Sequence, residues 1–179
     1  MKQSYLIAIS IWYLLYSCTN TASTQQEELI SKAQYPDAEW IKIQSINFQI
    51  IQNNDTIPWV NISNPDTAHL FDADKKILKT SRIKLHIDYP LTVTATYPTT
   101  SITGFSRKDL IRLISDKYKK IYKAENNSIT VDGKTIDKIP NSPAKYGICC
   151  HDIADLDLGS VQVYMDESGT IHLILEIES

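Results

Sequence analysis

Ser106–Glu125 reads SRKDLIRLISDKYKKIYKAE and carries the strongest helical pattern in the chain. At 100° per residue, its apolar side chains fall on one face of a helix: Leu110, Ile111, Ile114, Tyr118, Ile121 and Tyr122. Ser106 and Asp109 are spaced as in a capping box, in which each side chain binds the backbone N–H of the other residue. The pattern predicts one amphipathic helix over about 106–125, with its apolar face buried against another layer.

Strand patterns flank this helix on both sides. Before it, residues 40–52, 82–88 and 91–97 alternate apolar with polar side chains, and the first stretch shifts phase in a way that predicts a bulge. After it, residues 161–165 and 171–177 alternate around the turn sequence Asp166–Gly169, which predicts a C-terminal β-hairpin. The arrangement predicts an α+β domain, in which the helix packs on an antiparallel sheet.

The first eighteen residues carry a targeting pattern. Lys2 precedes an apolar run, Tyr5–Tyr16, that is shorter than the roughly 20 residues of a membrane-spanning helix. The run ends in Leu15-Tyr16-Ser17-Cys18, which resembles the lipobox of bacterial lipoproteins. The resemblance implies that the Cys18 thiol is acylated and that the chain is cut before Cys18. The alternative is an ordinary signal peptide with an incidental cysteine.

These features predict the organisation of the chain. Residues 1–17 form a signal peptide, residues 18–34 a lipidated cysteine with a flexible tether rich in Thr, Ser and Gln, and residues 35–179 a single domain. The expected location is the bacterial cell envelope, at the outer membrane, on its periplasmic or surface side. Basic side chains do not outnumber acidic ones (18 against 21), so nucleic acid is not an expected partner. The expected partners are the membrane, through the anchor, and an envelope protein or glycan.

The densest cluster of reactive side chains is Cys149, Cys150, His151 and Asp152. Thiolates and imidazole can bind zinc or copper, and a thiol beside a histidine can act as a nucleophile. However, the chain has no second cysteine pair, and its other histidines (His69, His86 and His172) lie singly in strand or loop patterns. The alternatives are a vicinal disulfide, a buried pair of thiols, and a His–Asp pair that only fixes its loop.

A resemblance covers about the last 75 residues. Gly104, the helix after it, and Tyr146-Gly147-Ile148 followed by His151-Asp152-Ile153 resemble a C-terminal segment of uncharacterised bacterial proteins. In that pattern His151 and Asp152 match, whereas Cys149 and Cys150 are usually other residues. The resemblance implies no known activity and argues against cysteine chemistry here.

Two further sets of residues are candidate surface sites. Four basic residues lie on the polar face of the predicted helix and can contact anionic headgroups or glycans, unless they form only a solvated face: Lys108, Arg112, Lys119 and Lys123. Asp55-Thr56-Ile57 and Asp66-Thr67-Ala68 resemble an O-glycosylation site of Gram-negative secreted proteins, which makes Thr56 and Thr67 candidates.

Known catalytic and phosphate-binding motifs are absent. The five glycines are too widely spaced for either common phosphate-binding loop, and neither G-x-S-x-G nor H-E-x-x-H occurs. We therefore expect no cofactor and a non-catalytic binding or accessory module on a lipid anchor. The alternative is a small metal-dependent or thiol enzyme centred on Cys149, Cys150, His151 and Asp152.

The lipid anchor can be tested directly. Mass spectrometry of the membrane fraction should show an acylated N-terminal Cys18, because cleavage and acylation both occur at that residue. Cys18→Ala should abolish the modification and leave the chain unprocessed. A soluble protein with an unmodified N-terminus, or an unchanged mass in Cys18→Ala, would contradict the prediction.

Overall fold

The computed structural model of the chain describes residues 28–31, 39–125, 129–131, 134–136, 145–148 and 151–179. In this part of the chain one α-helix, α1 (Arg107–Glu125), accompanies thirteen β-strands. The strands before α1 are β1 (Glu28–Ser31), β2 (Ile41–Asn47), β3 (Ile50–Gln52), β4 (Asp55–Ile57), β5 (Val60–Asn61), β6 (Lys76–Leu78), β7 (Arg82–Ile87), β8 (Val93–Thr100) and β9 (Phe105–Ser106). Those after it are β10 (Ile129–Val131), β11 (Lys134–Ile136), β12 (Asp157–Met165) and β13 (Ile171–Glu178).

Seven strands form the main sheet. Six of them follow the order β1-β8-β7-β13-β12-β2, and β5 pairs with β12 beyond the end of β2. All neighbours are antiparallel except β13 and β7, where Ile171–Ile174 runs parallel to Ile83–His86. The pairing of β12 with β13 confirms the predicted hairpin, and the α+β architecture is confirmed as well. Two-stranded sheets form from β3 with β4, β6 with β9, and β10 with β11.

The N-terminus of α1 is capped as the sequence predicts. Ser106 Oγ accepts a hydrogen bond from the N–H of Asp109 at 3.1 Å, and Asp109 Oδ2 accepts one from the N–H of Ser106 at 2.9 Å. Lys76 Nζ lies 2.7 Å from the same carboxylate. The bonds from Lys76 and from the Ser106 amide lower the pKa of Asp109 to about 2. The carboxylate is therefore charged at the positive end of the helix dipole, which stabilises the start of the helix.

The predicted face of α1 is the buried face. Its six apolar residues are at most 8 % exposed, and they share one core with residues of the main sheet. The sheet contributes alternate residues of its central strands: Ile83, Leu85 and Ile87 from β7, Ala95 and Tyr97 from β8, Val161 and Val163 from β12, and Leu173 and Leu175 from β13. One face of the sheet thus carries the core, and the side chains between these residues point to the opposite face.

The second half of α1 also binds two loops through phenol groups. The Tyr118 hydroxyl donates to the Tyr89 carbonyl at 2.7 Å, and the Tyr122 hydroxyl donates to the His151 carbonyl at 3.0 Å. Burial raises the pKa of Tyr118 well above its usual 10 and raises the pKa of Tyr122 to about 12. Both phenols therefore keep their protons at physiological pH and remain donors.

Glu125 fastens the chain that returns after the helix. Its buried carboxylate accepts hydrogen bonds from the N–H groups of Tyr146 (2.9 Å), Gly147 (3.1 Å) and Ile148 (3.3 Å). Three backbone donors compensate the charge that burial would otherwise make costly. The last residue of α1 therefore fixes the segment just before the Cys149–Asp152 cluster.

Two parts of the sheet differ from the expectation. Glu28–Ser31, expected in the tether 18–34, forms β1, which is antiparallel to β8 and pairs with an edge that would otherwise be free. The stretch 40–52 is divided into β2 and β3: the Phe48 N–H still donates to the Gly159 carbonyl of β12, and the chain then leaves the main sheet to form β3, which pairs with β4. Within the described residues no helix is long and apolar enough to cross a membrane.

The packing of α1 gives a test of the fold. Ile114 is fully buried, so Ile114→Ala should lower the free energy of unfolding by about 2–5 kcal/mol in urea titrations. Lys119 is exposed, so Lys119→Glu should change it by no more than about 0.5 kcal/mol. A silent Ile114→Ala with an unfolded Lys119→Glu would mean that the helix is oriented the other way.

Candidate binding cleft

The sheet face opposite the core carries polar side chains on adjacent strands. On β7 these are Arg82, Lys84 and His86, which alternate with the core residues Ile83, Leu85 and Ile87. The parallel register places Lys84 beside His172 of β13, and the antiparallel register places His86 opposite Thr96 of β8. Strand pairing thus assembles residues that are far apart in the sequence.

A chain of hydrogen bonds crosses this face. Thr96 Oγ1 lies 2.9 Å from His86 Nδ1, and His86 Nε2 lies 2.9 Å from His172 Nδ1. His172 Nε2 lies 2.9 Å from Asp166 Oδ2 in the β12–β13 turn. Both imidazoles are 3 % exposed. We call these four residues the histidine relay.

The protonation of the relay follows from its two ends. The Asp166 carboxylate can only accept, so His172 donates from Nε2 and, as a neutral ring, accepts at Nδ1. His86 then donates from Nε2 and accepts the Thr96 hydroxyl proton at Nδ1. Every ring nitrogen is engaged, and every bond runs in the same direction toward Asp166.

Burial keeps both rings neutral. Desolvation, followed by the electrostatic interactions with His172 and Lys84, lowers the pKa of His86 from 6.5 to about 3. Desolvation also lowers the pKa of His172, although the bond to Asp166 acts in the opposite direction. Trp40 covers the pair, with its ring centre 3.7 Å from that of His172 and 5.5 Å from that of His86. The two imidazoles of the relay are therefore desolvated and neutral, and its negative charge lies on Asp166.

Asp166 connects the relay to the turn of the C-terminal hairpin. Its Oδ1 accepts hydrogen bonds from the Ser168 hydroxyl (2.6 Å) and from the N–H groups of Ser168 and Thr170 (both 2.9 Å). Ser168 and then His172 hold the pKa of Asp166 well below its usual range. Gly169 completes the turn at a φ of +80°, which favours glycine. The turn is thus fixed from within and through His172.

This turn forms one wall of a cleft of about 460 Å³ at the end of the sheet. The other walls come from the start of β7 and the end of β8. The lining residues are Thr80, Ser81, Arg82, Ile83, Lys84, Pro98, Thr99, Thr100, Ser168, Gly169 and Thr170. The lining therefore combines two cationic side chains with several hydroxyls and contains no carboxylate, imidazole or thiol. Guanidinium and ammonium groups donate hydrogen bonds to anions.

The predicted metal or redox cluster is described only in part. Cys149 and Cys150, like Cys18, lie outside the described residues. His151 Nε2 lies 2.9 Å from the Tyr89 hydroxyl, which also lies 2.7 Å from Ser179 Oγ. Asp152 is exposed and precedes a 3₁₀ turn at Ile153–Asp155. Among the described residues no three His, Cys, Asp or Glu side chains are grouped to hold a metal.

The basic residues of α1 do not form one uniform surface. Lys108 Nζ lies 3.2 Å from Asp74 Oδ1 and is half-buried. Arg112, Lys119 and Lys123 are exposed. Asp116 lies on the exposed side of the same helix, one turn after Arg112. The stripe therefore mixes signs of charge, as a solvated face does.

Both candidate glycosylation threonines lie at hairpins or turns. Thr56 is exposed in β4, and its N–H donates to Asp55 Oδ1 at 2.8 Å. Thr67 is half-buried after Asp66, whose carboxylate accepts from the N–H groups of Ala68 and His69. Thr56 is therefore the more exposed of the two threonines. Modification of either residue stays a prediction.

The expectation that His86 and His172 lie singly was wrong, because strand pairing brings them together. Each occupies a polar position between apolar residues of an alternating strand, which is the signal that they share the non-core side. The sequence carries no comparable signal for the parallel pairing of β7 with β13, and that pairing decides their contact. Arg82 and Lys84 were missed for the same reason.

The relay makes stability depend on pH. Below pH 6.5 the unfolded chain protonates its histidines, whereas folded His86 stays neutral down to about pH 3, so stability should fall as pH drops through this window. His86→Gln keeps a donor and an acceptor but does not titrate. Between pH 7 and pH 4.5, the free energy of unfolding of His86→Gln should fall less than that of the wild type. The difference should reach up to about 1.4 kcal/mol for each pH unit below 6.5.

Thr96→Val is the matched control for this experiment. It removes one hydrogen bond of the relay and should lower stability by about 1 kcal/mol at every pH. Urea titrations at several pH values measure both effects. Equal pH dependence in the wild type and His86→Gln would show that His86 is not buried as a neutral ring.

Comparison of the chain with protein-family models, with curated proteins and with solved structures gives no match. The resemblance of the C-terminal segment to uncharacterised bacterial proteins therefore stays a prediction. Function must be inferred from the geometry of the cleft and of the residues around it.

Proposed function

We propose that the protein is a lipid-anchored component of the bacterial envelope that acts as a non-catalytic binding module. Its ligand is an anionic group of an envelope component, bound in the cleft at the end of the sheet. The observation that carries this proposal is that Arg82 and Lys84 both line a cleft whose lining contains no carboxylate. Each cation can therefore offer its charge to a ligand.

The chemistry of the lining favours a phosphate, sulfate or carboxylate group. Arg82 can donate two parallel hydrogen bonds to such a group, and Lys84 supplies a compact charge beside it. Ser168 and Thr170 lie across the cleft on a turn fixed by Asp166. A wall that is already ordered loses little conformational freedom when the ligand binds.

The histidine relay supports binding rather than catalysis. A general base needs a free nitrogen within reach of its substrate, but both nitrogens of His86 and His172 are engaged. Thr96 is 3 % exposed, so its hydroxyl cannot attack a bound ligand. The relay therefore contains the residue types of a catalytic triad but has no access to a substrate. Its role is to stabilise the turn that forms the cleft wall.

The anion site can be tested with the full chain in detergent micelles. Inorganic phosphate is titrated by calorimetry into the wild type, the double variant Arg82→Gln/Lys84→Gln and the control Arg112→Gln/Lys119→Gln. Both variants remove two positive charges, one pair from the cleft and one from the helix. We expect at least about a tenfold increase in Kd for the cleft variant and less than about a twofold increase for the control.

Three outcomes would contradict the proposal. Equal weakening in both variants would mean that net charge, rather than the cleft, attracts phosphate. Absence of binding in the wild type would remove the site. Stoichiometric zinc or copper that is lost in both Cys149→Ser and His151→Ala would favour the enzyme centred on those residues.

A further inference from the structure

The end of the sheet that carries the cleft also carries a fully exposed apolar side chain. Ile102 lies at the tip of the segment between β8 and β9, and its relative exposure is 103 %. Ser81, Arg82 and Thr100 of the cleft line a shallow depression together with Ser101 and Ile102. An exposed isoleucine beside Arg82, with Lys84 in the adjoining cleft, is typical of a surface that contacts a lipid headgroup region.

Ile102 is projected by a fixed turn. The Ser101 N–H donates to the Ser81 carbonyl at 2.8 Å, and the Ser101 hydroxyl donates to the Gly104 carbonyl at 2.7 Å. Lys76 Nζ donates to the same carbonyl at 3.2 Å. Gly104 has a φ of +76°, and a Cβ there would lie 2.3 Å from the Leu78 carbonyl oxygen. The exposure of Ile102 is therefore built into the turn.

The direction of β1 relates this end to the lipid anchor. Glu28 pairs with Thr96 and Ser31 pairs with Val93, so β1 starts on the side of β8 that leads toward Thr100 and the cleft. Glu28, the residue of β1 nearest to Cys18 in the sequence, therefore lies at the end of β1 that faces the cleft. Nine residues, 19–27, separate Glu28 from Cys18. Even fully extended, they hold Glu28 within about 35 Å of the acylated cysteine.

Charge complementarity selects the kind of surface. Three cationic residues border this end: Arg82 and Lys84 at the start of β7, and Lys79 just after β6. Glu167 is exposed in the β12–β13 turn that faces them. The carboxylate of Asp166 is already bound by His172 and by the turn. Three positive charges therefore face two negative ones, those of Asp166 and Glu167, and the excess of positive charge suits anionic headgroups.

We propose that this end of the domain rests on the anionic phospholipid bilayer that holds the anchor. Ile102 inserts among the headgroups, and Arg82 and Lys84 bind their phosphates. This inference rests on the proposed function and names the source of the anionic group. The domain is then held in one orientation on the membrane.

The test uses tryptophan as a depth probe in the full chain, reconstituted through its own anchor. The vesicles contain phosphatidylcholine and phosphatidylglycerol, with or without bromine on the acyl chains. Ile102→Trp places the probe at the proposed contact. The control, Ile51→Trp, replaces an isoleucine of β3 that is 42 % exposed. β3 follows Asn47, the end of β2 that lies away from the β12–β13 turn.

We expect bromine to quench the added emission of Ile102→Trp and to leave that of Ile51→Trp unchanged. Adding Arg82→Gln/Lys84→Gln to Ile102→Trp, or omitting phosphatidylglycerol, should reduce the quenching at least twofold. Equal quenching at both positions, or none at position 102, would overturn the proposed orientation.

The outcomes separate this inference from the proposed function. Phosphate binding in the cleft without quenching of Ile102→Trp would retain the binding module and reject the membrane contact. Quenching without phosphate binding would retain the membrane contact and reject the cleft as an anion site. Failure of the chain to stay on vesicles would reject the anchor and, with it, the orientation.

Discussion

The parallel pairing of β7 with β13 holds the two halves of the main sheet together. It joins the antiparallel strands before α1 to the hairpin after it. On one face it aligns Leu85 with Leu173, so that both halves of the sheet contribute to the core shared with the helix. On the other face it brings together His86 and His172, which are 86 positions apart. One backbone register therefore positions the core and the relay.

The features that the sequence predicted well depend on neighbouring residues. The helix follows from a repeat of apolar side chains and from two capping residues three positions apart, and both are visible within twenty residues. The hairpin follows from alternation on either side of a short turn. Local hydrogen bonds and local periodicity decide these elements, so tertiary packing did not change them.

The features that the sequence did not predict depend on which strands become neighbours. Alternation shows that His86 and His172 avoid the core, but it does not say that their strands lie side by side. Arg82 and Lys84 have the same ambiguity, because a cleft exists only once the β12–β13 turn closes over them. Glu28–Ser31 is too short and too polar at its ends to be recognised as a strand. It forms one because its backbone pairs with the edge of β8.

The contrast between the relay and the cleft bears most directly on function. In the relay, each donor meets an acceptor, the rings are covered by Trp40, and the negative charge ends in a tight turn. In the cleft, cations and hydroxyls line a concavity without an opposing carboxylate. A buried polar network that is fully satisfied fixes a structure, whereas charged side chains that line an open cleft can bind a ligand. The relay orders the turn at Asp166, and this turn in turn shapes the wall of the cleft. The relay therefore contributes to the order of the cleft wall through the contact between His172 and Asp166.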